Sequence, residues 1–363
     1  MRRCPSNSQE APGYAGASQA TSHNPPGIFR MIVTAALASV MIAGPAGVQL
    51  SAAPEERVKM AELSPAVESA IDNALKCLAS RQNKDGGFGT SDYKVGVTAV
   101  SLMAFMLKGH FPKRGQYGVT LDRGLEYLLK KSKDGAGYMG SSMYEHGLAT
   151  LALSEAWGMS DRDEIRDALK RAVEVIIQSQ NDQGGWRYNP RPQDADLSVT
   201  VMQIMALSSA KEAGILVPST VIDNAVRYVK SLQVRLGGGF GYADATNPAM
   251  SRSAAGVLSL IMCGERNSSA VQRGLEYLKR LPESKFKTTD FYYYAHYYSI
   301  QAMYQAGETY YQEWYPKIRD ALLESQAKDG HFPGGEAGDE CYSTSMSVLI
   351  LGVPYRFLPI YQR

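Results

Sequence analysis

Two of the five histidines stand in settings that could do chemistry. His146 follows Tyr144-Glu145, and His296 lies in Asp290-Phe291-Tyr292-Tyr293-Tyr294-Ala295-His296-Tyr297-Tyr298. Imidazole is the side chain that ordinarily titrates near neutral pH. Beside carboxylates and phenols it can move protons or hold the polar end of a ligand. His146 and His296 are therefore candidate catalytic residues, with Tyr144, Asp290, Tyr293 and Tyr297 as ligand contacts. The plainer reading is that these groups hydrogen-bond between neighbouring helices. A second group lies around Asp194-Ala195-Asp196, with Trp186 and Tyr188 just ahead of it. A carboxylic acid kept protonated by apolar surroundings can donate a proton, which makes Asp196 a third catalytic candidate. Aspartate is equally a favoured helix N-cap. Asp194, Trp186, Tyr188 and, later in the chain, Tyr342 complete the ligand-binding candidates.

The elements that must position these groups repeat. Gln82-Asn83-Lys84-Asp85-Gly86-Gly87-Phe88 leads to Thr98, and Gln180-Asn181-Asp182-Gln183-Gly184-Gly185-Trp186 leads to Thr200. Gln233 with Gly238-Gly239-Phe240 leads to Ser253, and Gln326-Ala327-Lys328-Asp329-Gly330-His331-Phe332 leads to Thr344. Glycine supplies the positive φ that ends a helix, and the aromatic plugs the end of a hairpin core. Recurrence of whole units at about 50-residue spacing marks a repeat architecture.

The helices before the turns are amphipathic: 65–82, 121–131, 162–180, 218–233, 270–280 and 313–326. Charged residues between apolar ones at helical spacing mark a face turned to water. The helices after the turns are small, apolar and nearly free of charge, and align on Thr98, His146, Thr200, Ser253, His296 and Thr344. Helices apolar all round are buried. The expectation is an all-α protein of six helical hairpins in a ring or solenoid.

A net charge of +2 with 44% hydrophobic residues describes a globular chain with ample core and gives no electrostatic case for nucleic acid. Residues 1–56 read as a leader. Arg30, the apolar run Met31 to Ala43 and the small residues Ser51-Ala52-Ala53 resemble an export signal, since a spanning helix needs about 20 apolar residues. This predicts an exported protein that touches membrane only if the leader stays uncleaved. The folded part is expected at 57–363. Three cysteines beyond the leader, Cys77, Cys263 and Cys341, fit no disulfide framework and read as buried small hydrophobes.

The Gln-x-x-x-Gly-Gly-aromatic segments resemble the QW-type repeats of the prenyltransferase and squalene cyclase superfamily. That resemblance implies an (α/α)6 toroid whose inner helices line a central cavity. It also bears on two motifs. Asp194-Ala195-Asp196-Leu197-Ser198-Val199-Thr200 resembles the acid motif of squalene/hopene-type cyclases, but Ser198 and Val199 stand where two further acids should be. Asp339-Glu340-Cys341-Tyr342-Ser343 resembles the zinc-holding segment of protein prenyltransferase β subunits, with His296 as the imidazole. There the order is reversed, because the family's histidine follows its cysteine. Cys263-Gly264-Glu265-Arg266 resembles a thioester motif, but Arg266 replaces the required Gln.

The reading that follows is an exported toroid with a cavity for an apolar, isoprenoid-like ligand. The alternatives are a non-catalytic scaffold for an extended peptide or glycan, and a zinc-dependent prenyltransferase-type enzyme. No cofactor other than that zinc is implied, and nothing advertises docking of an α-type partner subunit.

Overall fold

The computed structural model describes residues 63–90, 92–334, 338–355 and 358. The leader lies outside them. Among the described residues twelve α-helices alternate between two layers, with two short 3-10 turns and no strand. The outer helices are α1 (Pro65–Ser80), α3 (Gly118–Asp134), α5 (Asp163–Gln178), α7 (Ser219–Ser231), α9 (Ser269–Lys279) and α11 (Glu308–Ser325). The inner helices are α2 (Lys94–Leu107), α4 (Met143–Gly158), α6 (Leu197–Glu212), α8 (Met250–Met262), α10 (Tyr292–Ala306) and α12 (Glu340–Leu351). Each inner helix packs on the next, and α12 packs on α2, so the hairpins close into a ring. Closure is a finding, since periodicity alone also permits an open solenoid.

The layering follows from side chains. In α5 the residues Ile165, Ala168, Leu169, Ala172, Val173 and Ile176 are buried at helical spacing while the charges between them face water. In α2, by contrast, every residue from Val95 to Leu107 is buried. Small residues let the inner helices approach closely. The Ser101 and Ser345 hydroxyls meet at 2.9 Å between α2 and α12, and a Cβ on Gly147 of α4 would come within 2.8 Å of Gln203 on α6. α11 departs from expectation. It begins at Glu308 and runs through Pro316, its buried Tyr311, Trp314, Tyr315, Ile318 and Leu322 outweighing the backbone bond that proline removes.

The glutamine of each turn clasps adjacent hairpins. Gln82 Nε2 donates to the Gly86 and Thr120 carbonyls, both at 2.9 Å. Gln180 donates to Gly184 (2.9 Å) and Val221 (2.8 Å), and Gln233 to Gly238 (2.9 Å) and Ala270 (2.7 Å). Gln326 makes the same pair, to Gly330 (3.0 Å) and to Ala70 (2.8 Å) on α1, so the fourth copy joins the end of the ring to its beginning. At the same seam Arg81 pairs with Asp329 and Glu340, and the Tyr355 hydroxyl reaches Glu68 on α1 at 2.6 Å. No helix among the described residues is long and apolar enough to cross a membrane.

Candidate functional site

Five of the six residues that align the inner helices share one structural task. Backbone N–H groups of the turns donate to Thr98 (from Phe88, 2.9 Å), Thr200 (from Trp186, 3.1 Å), Ser253 (from Phe240, 3.0 Å) and Thr344 (from Phe332, 3.0 Å). His146 does the same work. Its Nδ1 accepts from the Met139 N–H at 3.1 Å, which leaves the proton on Nε2, 3.0 Å from the Ala172 carbonyl. Burial pushes its pKa down to about 4, against a smaller opposing effect of that carbonyl. His296 is fully buried too, between Phe286 (5.8 Å) and Tyr292 (4.6 Å), with the Lys285 carbonyl beside it. Burial lowers its pKa to about 3. The structure thus corrects the placement of both histidines. They face the hairpin interiors as neutral rings and do not reach a cavity mouth.

A cavity of about 770 Å³ opens at the N-terminal ends of the inner helices. It is lined by the residue two positions before each aligning residue, namely Gly96, Tyr144, Ser198, Ser251, Tyr294 and Tyr342. Two residues of an α-helix lie about 200° apart, so when one faces the turn the other faces the centre. The loops add Tyr93, Tyr188 and Tyr242, and the rim adds Asp290 and Phe291. The wall is mostly carbon surface. The Tyr144 and Tyr294 phenols have pKa values raised well above the ordinary one, chiefly by burial, so they remain neutral. Tyr188 and Tyr242 hydroxyls meet at 3.3 Å.

Of the ligand contacts expected from sequence, Tyr144, Tyr188, Asp290 and Tyr342 line this cavity, while four others sit elsewhere. Trp186 is wholly buried as the plug of its turn, its indole N–H donating to Ile176 at 2.7 Å. Asp194 is an exposed partner of Arg187 at 2.7 Å. Tyr293 donates to the Pro333 carbonyl at 2.8 Å, and Tyr297 packs in the core against Tyr298.

Asp196 is likewise off the wall. It caps α6, one oxygen accepting from the Val199 N–H (2.9 Å) and the Ser198 hydroxyl (2.6 Å), the other 3.5 Å from Arg187 Nε. The capping role explains why it stands where it does.

The zinc candidates do not converge. Asp339 caps α12 through the Cys341 and Tyr342 N–H groups at 2.9 and 3.2 Å, and its other oxygen accepts from Thr90 at 2.9 Å. Cys341 is buried with its thiol pushed up to about 11, chiefly by burial. His296 is enclosed by its own aromatics. Among the described residues no group of three or more His, Cys, Asp or Glu side chains forms a metal-holding cluster.

Sequence reasoning missed Arg252 as a wall residue, whereas Glu145, expected with its neighbours toward the cavity, is there. Glu145 is 2% exposed and lines the cavity. One oxygen accepts from the Gly96 N–H at 3.1 Å, and the other from the Ser141 N–H and hydroxyl, both at 2.7 Å. It therefore ties α4 to the start of α2. The signal that locates most of the wall was in the sequence, two residues ahead of each aligning position, whereas Arg252 stands one residue ahead of Ser253.

A ring of six αα hairpins with a cavity at one end defines an α/α toroid. The prenyltransferase alpha-alpha toroid domain family matches residues 29–142, 138–237 and 217–288, more than half of the chain, and the chain belongs to that family. Among solved structures it is similar to an inactive variant of the α-1,6-mannanase GH76A of Salegentibacter sp. in complex with α-1,6-mannotriose. That match has 9% identity and a TM-score of 0.62, covering 79% of this chain and 98% of that one. It is also similar to the type II terpene cyclase MstE from Scytonema, with 16% identity and a TM-score of 0.56, covering 81% and 99%. Cellobiose 2-epimerase from Bacillus thermoamylovorans matches at 12% identity and a TM-score of 0.60, covering 79% and 99%. At these identities the likeness is one of fold. No curated protein sequence matches significantly.

Proposed function

We propose that the toroid is an exported binding protein that holds an apolar, isoprenoid-like ligand in the cavity at the N-terminal ends of its inner helices. The single observation that supports this most is the wall. About 770 Å³ is enclosed largely by tyrosine faces, Val97 and Leu148, within the range of small-molecule sites. Binding without turnover fits the acid motif, where Ser198 and Val199 stand in place of two acids and Asp196 serves as a cap. An isoprenoid fits the family, and in MstE the same ring fold holds geranylgeranyl dihydroxybenzoate. Export rests on the leader pattern, and an unprocessed chain retained in the cytosol of its native host would refute it.

Organic extraction of the purified protein followed by mass spectrometry tests the ligand, and geranylgeraniol serves as a direct titrant. Ser251→Phe and Leu148→Phe, each adding a ring to the wall, are expected to weaken geranylgeraniol binding at least about tenfold, a loss of roughly 1.4 kcal/mol. Binding unchanged in both folded variants, with no apolar molecule extracted, would overturn the reading.

A further inference from the structure

We propose that the ligand is an amphiphile, its apolar chain inside the cavity and a sugar-like polyol ring stacked on Phe291 at the rim; this rests on the apolar binding reading above. Phe291 precedes α10 with φ 53° and ψ 57°, in the left-handed region that a bulky residue adopts only under strain, and it is 61% exposed. Glycine would make the same turn without that strain. A phenyl this exposed gains little from the ring's own packing. Tyr93 and Tyr188, 56% and 44% exposed, stand on the same cavity, so three aromatic faces meet water around one opening.

A hydrocarbon chain housed inside would not need them. They suit a part of the ligand that stays in water yet offers a C–H face, as a pyranose ring does, with its hydroxyls directed sideways. Hydroxyls of that kind are gripped by planar charged groups. Asp290, directly before Phe291, and Arg252, on the adjacent α8, both line the cavity, and neither has an ion-pair or hydrogen-bond partner among the described residues. Glu145, by contrast, has both its oxygens engaged by protein donors. A plain hydrocarbon leaves Asp290 and Arg252 unmatched, and a free glycan leaves the wall of Val97, Tyr144 and Leu148 unfilled.

The test compares geranylgeraniol, its β-glucoside and free α-1,6-mannotriose by calorimetric titration. The glucoside is expected to bind about tenfold tighter than the alcohol. Phe291→Ala should erase that preference without changing affinity for the alcohol. Phe291→Gly should erase it too while keeping or raising the melting temperature, because the backbone strain is relieved; a merely structural Phe291 would lower it. Equal affinity for alcohol and glucoside would overturn the headgroup and leave the cavity reading intact. Mannotriose binding with neither prenyl compound, or no binding of any of the three, would overturn both.

Discussion

Between pH 7 and pH 4.5 the ring is expected to lose stability steeply through two buried histidines. His146 and His296 are held neutral in the fold, with pKa values lowered by burial to about 4 and about 3. An unfolded chain takes up both protons near pH 6.5. Below that point the unfolded state binds more protons than the folded one, so stability falls as pH falls and continues to fall until the folded values are reached. Each histidine contributes a slope of about 1.4 kcal/mol per pH unit. Over the two units from about pH 6.5 to 4.5 the pair removes on the order of 5 kcal/mol, a large share of the 5–15 kcal/mol typical of a folded domain. Urea midpoints measured at pH 7.5, 6, 5 and 4.5 would show this. His296→Phe, placed between Phe286 and Tyr292, should halve the slope. A midpoint that stays flat from pH 7.5 to 5 would mean that the rings are not buried as described.

This expectation reverses the first reading of the histidines, and the reason shows what sequence could and could not supply. The hairpins, the two helix classes and the aligning positions were legible because glycine turns and charge patterning act locally. His146 was even placed in line with Thr98 and Thr200. What its type suggested, proton chemistry, lost to what its position required, an acceptor for the Met139 N–H. Trp186 and Asp194 were misplaced for a related reason. Nearness in sequence to Asp196 says nothing about which side of a turn a residue faces, and one plugs the hairpin while the other lies in water. Arg252 went unseen because a charge on an otherwise apolar helix reads as an exception until its neighbours in space are known. The zinc motif failed on geometry, since the Asp339 oxygens are engaged by three N–H groups.

The remaining large effect concerns closure. Gly330 has φ 92°, and a Cβ there would lie 2.4 Å from the Asn73 carbonyl oxygen of α1. Gly184, with φ 91°, meets the Asn224 carbonyl of α7 at the same 2.4 Å. Alanine at either site must strain its own backbone and push two hairpins apart, at a cost of about 3 kcal/mol. For a domain of this size that is roughly a 5 °C fall in melting temperature. In an open solenoid the two substitutions would differ, because a terminal hairpin frays with little consequence for the rest. In a closed ring every seam is internal, so Gly330→Ala and Gly184→Ala should be equally damaging. Gln326→Ala, which frees the Gly330 and Ala70 carbonyls, should cost about 2 kcal/mol, matching Gln180→Ala. Thermal melts of the four variants decide the matter. Should the seam variants melt close to the unaltered protein while the internal pair fall, the hairpins form an arc, and a cavity that needs α12 beside α2 loses one wall.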